Sequence, residues 1–195
     1  MLKAYLGISV LLLASASYGA TTTLTAPLSG ANENPPNASP GTGVATVVYD
    51  STAHTLSINV GFSGLLGATT AAHIHCCVAP PGNAGVATTV PTLPGFPLGV
   101  MAGQYAVTLD LTMPGSFNPA FIAANGGTVA GAEAALANGL ANGMAYLNIH
   151  TTIFPGGEIR GFLQVRSAAP TLSLVGLGML MMLLTLVGVR GLRRT

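Results

Sequence analysis

The chain has 195 residues, enough for one ordinary domain and short targeting segments. Half of the residues are hydrophobic, only 6% are charged, and the formal net charge is +1. Of the basic residues, only Arg160 and Arg166 lie outside the terminal segments, whereas all five acidic residues do. This mildly acidic middle region has no basic stripe, so nucleic acids and other polyanions are not expected partners.

The first 20 residues have the layout of a secretory signal peptide. Lys3 carries the positive charge, Leu6 to Leu13 form a short apolar core, and small residues follow up to Ala20. Cleavage after residue 16, 19 or 20 would satisfy the small-residue rule. An uncleaved anchor is the weaker alternative, because the apolar run is short for a bilayer. We therefore predict an exported protein with residues 1–20 as its signal peptide.

Residues 21–166 have the patterns of short β-strands joined by Pro- and Gly-rich turns. The candidate strands are Thr22–Leu28, Val44–Tyr49, Thr55–Phe62, Ala71–Val78, Gln104–Leu111, Met144–His150 and Ile159–Val165. The long loop Ala79–Gly99 separates the fourth from the fifth, and loops of this length are usually functional or mobile. Seven strands at this spacing predict an all-β Greek-key sandwich or barrel.

Two short helices are expected between the late strands. Asn118 and Pro119 would begin the first as N-cap and first helical residue. Thr128 would cap the second, which we expect to end near Ala137 with Gly139 as its terminator.

The C-terminal segment has the pattern of a transmembrane anchor. Leu172 to Val189 contains no charge and is long enough to cross a membrane, after a linker of residues 167–171. Arg190, Arg193 and Arg194 follow directly, which predicts a cytoplasmic C-terminus. The domain between signal and anchor would then lie outside the inner membrane.

This tail also resembles a known sorting signal. Ala169-Pro170-Thr171-Leu172-Ser173, followed by Gly176, is similar to the IPTL-type C-terminal sorting signal of Gram-negative bacteria, a relative of the PEP-type tail associated with exosortases. Alanine replaces the leading isoleucine, and Leu174 and Val175 stand where Glu and Trp are usual. The resemblance implies a sorting protease as a partner. A tethered protein and one released to the periplasm, surface or medium both remain open.

Three motifs in the exported domain resemble the CHRD family, named for repeats in chordin. They are Leu28–Pro36 (LSGANENPP), Ala71–His75 (AAHIH) and Tyr146–Gly161 (YLNIHTTIFPGGEIRG), and the resemblance runs from about residue 24 to residue 163. It implies an all-β sandwich similar in outline to copper–zinc superoxide dismutase, with no firmly assigned activity. The family commonly has glycine after the His-x-His pair, whereas this chain has Cys76-Cys77.

The histidines of the second and third motifs are candidate metal ligands. In a strand, alternate side chains share a face, so His73 and His75 project together, and Asn148 and His150 do the same on a later strand. Three imidazoles without a thiolate suit copper or zinc, and the dismutase resemblance implies the same. Asn148 or a backbone carbonyl would orient a ring. The alternative is that these are structural, hydrogen-bonded histidines.

Dismutase activity is not expected. The chain has four histidines, and His54 is far from the others in sequence. A binuclear copper–zinc centre needs more imidazoles and a nearby aspartate. No serine–histidine–aspartate order or paired acid and base is visible either. We therefore expect a protein that is not an enzyme.

Four further residues are singled out by their scarcity and position. Cys76 and Cys77 would form a vicinal disulfide, pair with another molecule or supply thiolates beside the histidines; the oxidising compartment favours a disulfide. Glu158 and Arg160 are two residues apart, which predicts an ion pair between them or a structural link to Glu33.

Two functions fit these features. The first is a non-catalytic role in the cell envelope, in matrix or in adhesion, with the domain tethered to the membrane or released. The second is copper or zinc binding through His73, His75 and His150.

The signal and the tail make a direct prediction about the mature chain. We expect the native protein to lack its first 16 to 20 residues, because cleavage follows small residues. Deleting the chain from Leu172 onward should release the domain into the periplasm or medium. Intact-mass measurement tests the first expectation, and retention of Met1 would contradict it.

Overall fold

The computed structural model describes residues 21–166. The predicted signal peptide, the linker and the predicted C-terminal membrane helix lie outside these described residues. Within them, no helix is both long enough and apolar enough to cross a membrane.

Most of the regular structure is β-strand, with two short helices between the late strands. The strands are β1 (Thr21–Ser29), β2 (Thr42–Asp50), β3 (Thr55–Ser63), β4 (Thr69–Cys76), β5 (Gly103–Asp110), β6 (Ala145–Thr151), β7 (Ile159–Phe162) and β8 (Gln164–Val165). The helices are α1 (Pro119–Ala124) and α2 (Val129–Ala141). All seven expected strand segments are present, so the all-β prediction is confirmed. The last segment is interrupted at Leu163, whose buried side chain separates β7 from β8.

The strands form one curled antiparallel sheet. Its order is β4-β6-β7-β1-β2-β3-β5, with β8 also paired to β1. We expected two separate sheets packed as a sandwich, but the strand pairing runs without a break through one sheet. The sheet curls so far that its ends approach each other. Thr69 in β4 donates its backbone N–H to the carbonyl of Val100 (2.9 Å), just before β5, and accepts one from Gly99 (2.8 Å).

Apolar side chains on alternate positions form the core inside this curl. In β3, Leu56, Ile58 and Val60 are at most 1% exposed, as their alternation with polar residues predicts. In β4 and β6, Ile74 and Leu147 face the same core and are fully buried. Each such side chain contributes about 1.5–3 kcal/mol through removal from water. The opposite face of β4, β6 and β7 therefore remains available for polar side chains.

The second helix is longer than expected. Asn118 and Thr128 cap α1 and α2 as predicted, with side chains accepting from the N–H groups of Ala120 and Gly131. However, α2 continues to Ala141, so Gly139 lies inside it and is not its terminator. The reason is tertiary packing against a disulfide between Cys76 and Cys77.

Gly139 allows this close approach because it has no side chain. A Cβ atom there would lie 2.7 Å from the sulfur of Cys77 and still closer to that of Cys76. Real Cβ atoms do not make contacts this short. A glycine at this position is thus needed for α2 to pack against the disulfide.

We expect Gly139→Ala to destabilise the fold. Overpacking costs about 1–3 kcal/mol, which exceeds the roughly 1 kcal/mol that alanine contributes to an exposed helix. The free energy of unfolding in urea measures the effect. Gly115→Ala is the control, because a Cβ at Gly115 meets no atom within 4 Å. Equal stability of the two variants would contradict the packing argument.

Candidate metal centre

Strand pairing brings the polar residues of the second and third motifs onto one face. In the register of β4 with β6, His73 lies opposite Asn148, His75 opposite Tyr146, and Ala71 opposite His150. Because paired residues in neighbouring strands share a face, the three histidines project to the same side. The convergence expected from strand alternation is therefore present.

The three imidazole rings are close enough to share one ion. Their centroids are 5.9 Å apart for His73 and His75, 5.3 Å for His73 and His150, and 5.7 Å for His75 and His150. One nitrogen from each ring lies within 4.8 Å of the others. Bonds of about 2.0–2.1 Å around a trigonal ion would place them about 3.5 Å apart. Small ring movements suffice for that contraction.

A backbone carbonyl holds the other nitrogen of each ring. Nε2 of His73 bonds to the carbonyl of Pro91 (2.8 Å), and Nδ1 of His75 to that of Ala84 (2.9 Å). Nδ1 of His150 bonds to the carbonyl of Pro155 (2.9 Å). Such outer contacts fix the tautomer and orientation of metal-binding histidines. Backbone carbonyls, and not the side chain of Asn148, take this role here.

The electrostatics favour neutral rings with free lone pairs. Burial lowers the pKa of all three histidines, and for His75 the pKa falls to about 4. A neutral ring that donates to a carbonyl carries its lone pair on the other nitrogen. Those nitrogens, Nδ1 of His73 and Nε2 of His75 and His150, are buried without a hydrogen-bond partner. Three unpartnered acceptors on rings this close together can serve as a donor set for a cation.

The long loop Ala79–Gly99 and Tyr146 complete the support of His75. Ala84 and Pro91, whose carbonyls hold two of the rings, both lie in this loop. The ring of Tyr146 stacks on His75 at 4.8 Å between centroids, and its hydroxyl accepts from the N–H of Ala84 (3.1 Å). The sequence analysis assigned no role to Tyr146. Its alternation with Asn148 and His150 along one strand was the signal that would have placed it here.

Arg160 ties this loop to the sheet. Its guanidinium lies over the ring of Tyr146, 4.7 Å from the centroid. It donates to the side chain of Asn83 (2.6 Å) and to the carbonyls of Pro81 (2.8 Å) and Asn32 (2.6 Å). Arg160 thus fixes the chain just before Ala84.

The carboxylate beside Arg160 is Glu33 and not Glu158. The distance from Arg160 Nε to Glu33 Oε2 is 3.8 Å, which is the structural link proposed as one alternative. The other alternative, an ion pair between Glu158 and Arg160, is not found among the described residues, because Glu158 is occupied elsewhere.

Glu158 holds two loops together. It accepts hydrogen bonds from the hydroxyls of Ser39 and Thr151 (each 2.6 Å) and from the N–H groups of Leu66 (2.5 Å) and Gly67 (3.1 Å). Burial acts to raise the pKa of Glu158, but these donors outweigh it and the pKa is lowered. Its role is structural.

Cys76 and Cys77 form the vicinal disulfide that was one of three alternatives. Cys76 follows His75 in β4, so its side chain lies on the opposite, buried face of the strand against Gly139. The sulfurs therefore do not join the histidine cluster. His54 is also separate from it, because its Nδ1 bonds to the carboxylate of Glu133 (2.9 Å).

Glu33 makes the stability of the site region depend on pH. Burial raises the pKa of Glu33 to about 7, opposed by Arg160 and by the amide of Asn148. A carboxyl whose pKa is raised on folding contributes stability below its unfolded pKa of 4.5, and this is lost as the pH rises through 7. We expect wild type to lose stability relative to Glu33→Gln between pH 5 and pH 8. Urea unfolding of both proteins across this range measures the difference, and a constant difference would contradict the assignment.

Comparisons with known proteins agree with the motifs. The CHRD domain family matches residues 24–163, which is most of the chain. No curated protein matches the chain, and no solved structure does. The match spans β1 to Leu163 and includes all three histidines of the cluster. The chain belongs to the CHRD domain family.

Proposed function

We propose that this CHRD domain is a non-catalytic metal-binding protein that holds one copper or zinc ion on His73, His75 and His150. The observation that carries the proposal is the arrangement of lone pairs. Each of the three rings has one buried nitrogen without a hydrogen-bond partner, while a carbonyl fixes the other. One nitrogen of each ring lies within 4.8 Å of the others. A purely structural histidine cluster would have no use for three unsatisfied acceptors, each of which costs about 1–3 kcal/mol.

The chemistry of the donor set supports copper or zinc. Neutral imidazoles suit both metals, whereas calcium and magnesium prefer oxygen ligands. Among the described residues, the group of potential ligands contains the three histidines and no carboxylate. The protein then needs only to orient the rings and exclude water, which the loop Ala79–Gly99 and Tyr146 do.

The same features argue for a role without catalysis. Glu158 is held by four hydrogen bonds, so it is not free to act as an acid or base at the cluster. CHRD membership is consistent with an extracellular location. The predicted tail from Leu172 to Val189 would keep the domain at the membrane until a sorting protease releases it. A role in the envelope, matrix or adhesion remains compatible with metal binding.

Metal titration of the purified full chain tests this function. We expect one equivalent of copper or zinc per chain, detected by elemental analysis after dialysis. His73→Ala, His75→Ala and His150→Ala should each weaken binding by at least about 100-fold, because losing a ligand exceeds the 10–100-fold cost of losing an outer partner.

His54→Asn is the matched control. His54 has a backbone φ of 54°, which asparagine tolerates, and its ring bonds to Glu133 away from the cluster. This variant should bind metal as wild type does. Binding that survives removal of all three cluster histidines, or that depends on Cys76 and Cys77, would contradict the proposal.

A further inference from the structure

We infer that this centre selects monovalent copper, Cu(I), over Zn(II) and Cu(II). The inference rests on the proposed metal site and names its occupant. Two independent features of the cluster carry it: the number of ligands that can reach an ion, and the charge that surrounds the ion.

The first feature is a closed, three-ligand geometry. Zn(II) in proteins is almost always four-coordinate, with water at the fourth position when only three side chains bind. Here the free nitrogens of His73, His75 and His150 have almost no solvent-accessible surface, so an ion bound to them would lie apart from bulk water. Cu(I) carries one positive charge fewer than Zn(II) and can be held by three ligands in a plane without a fourth.

Among the described residues, no carboxylate or thiolate joins the three histidines as a fourth ligand. The hydroxyl of Tyr146 is engaged with the backbone of Ala84, both as acceptor (3.1 Å) and as donor (3.3 Å). The amide of Asn148 is the other polar group on this face. A Cβ on Gly157 would lie 2.6 Å from its Oδ1 and 2.8 Å from Oε1 of Glu33. The amide of Asn148 is thus held beside Glu33, to which it is hydrogen-bonded, and its Oδ1 is buried without a hydrogen-bond partner.

The second feature is the absence of negative charge among the described groups that could bind the ion. The three ligands are neutral, and no carboxylate joins them. The penalty for burying an ion grows with the square of its charge, so a dication pays about four times as much as a monocation. The guanidinium of Arg160 lies over Tyr146, which stacks on His75, and the carboxyl of Glu33 lies 3.8 Å from it. Neutral ligands in a closed site therefore favour the lower charge.

Affinity measurements under anaerobic conditions separate the occupants. The purified full chain competes for Cu(I) with bicinchoninate, in ascorbate, which keeps copper reduced and leaves disulfides intact. A chromophoric indicator reports Zn(II) binding in parallel. We expect one Cu(I) per chain, bound at least about 100-fold more tightly than Zn(II). The reason is that Zn(II) would lack its fourth ligand here and would bring a higher charge into the buried site. A smaller preference overturns the inference while leaving the metal site in place, whereas binding of neither metal overturns the proposed function itself.

Oxidation state is tested separately. Electron paramagnetic resonance of the copper-loaded chain in air should show little Cu(II) at the site, because Cu(II) also prefers four or more ligands. A full Cu(II) signal that disappears in His75→Ala would place the divalent ion at this centre and overturn the inference.

A charge-matched pair of variants tests the physical cause. Ala71 is half-buried, lies opposite His150 and shares the face of His73. Ala71→Asp adds a carboxylate at the edge of the site, while Ala71→Asn adds the same volume without charge. Ala71→Asp should reduce the preference for Cu(I) over Zn(II) at least about tenfold relative to Ala71→Asn, because the carboxylate adds a negative charge or a fourth ligand for Zn(II). Equal preferences in two variants with equal melting temperatures would contradict the inference.

Discussion

The pairing of β4 with β6 is the constraint on which the rest of the site depends. Its register places His73 and His75 beside His150 on one face and leaves Ile74 and Leu147 on the other. A shift of one residue would turn the histidines into the core and the apolar residues outward. Burial of the apolar face therefore fixes the position of the three histidines, and the hydrophobic core and the polar cluster both follow from the same register.

The long loop Ala79–Gly99 contacts the histidine face of the sheet. Its carbonyls at Ala84 and Pro91 hold two rings, and Arg160 in β7 fixes the chain just before Ala84. Sheet, arginine and loop thus form a continuous set of contacts around the histidines. The buried guanidinium of Arg160 thus donates mainly to backbone carbonyls.

Packing between distant segments overturned one expectation from the sequence and decided another that the sequence left open. Gly139 was taken as a helix terminator because glycine usually ends helices, but it lies inside α2 where that helix meets the disulfide. The link of Arg160 to Glu33 was left open against a partner two residues away. Spacing along a strand shows which side chains share a face, but not which loop covers them.

The sequence by itself determined the all-β class, most strand positions, both helix caps and the common face of His73 and His75, because periodicity and capping are local. Only the tertiary structure decided that His150 completes the cluster, that Tyr146 stacks on His75, and which ring nitrogens are free. It also decided that the strands form one curled sheet. These features depend on strand order and on contacts between segments far apart in the chain, and no local pattern encodes such contacts.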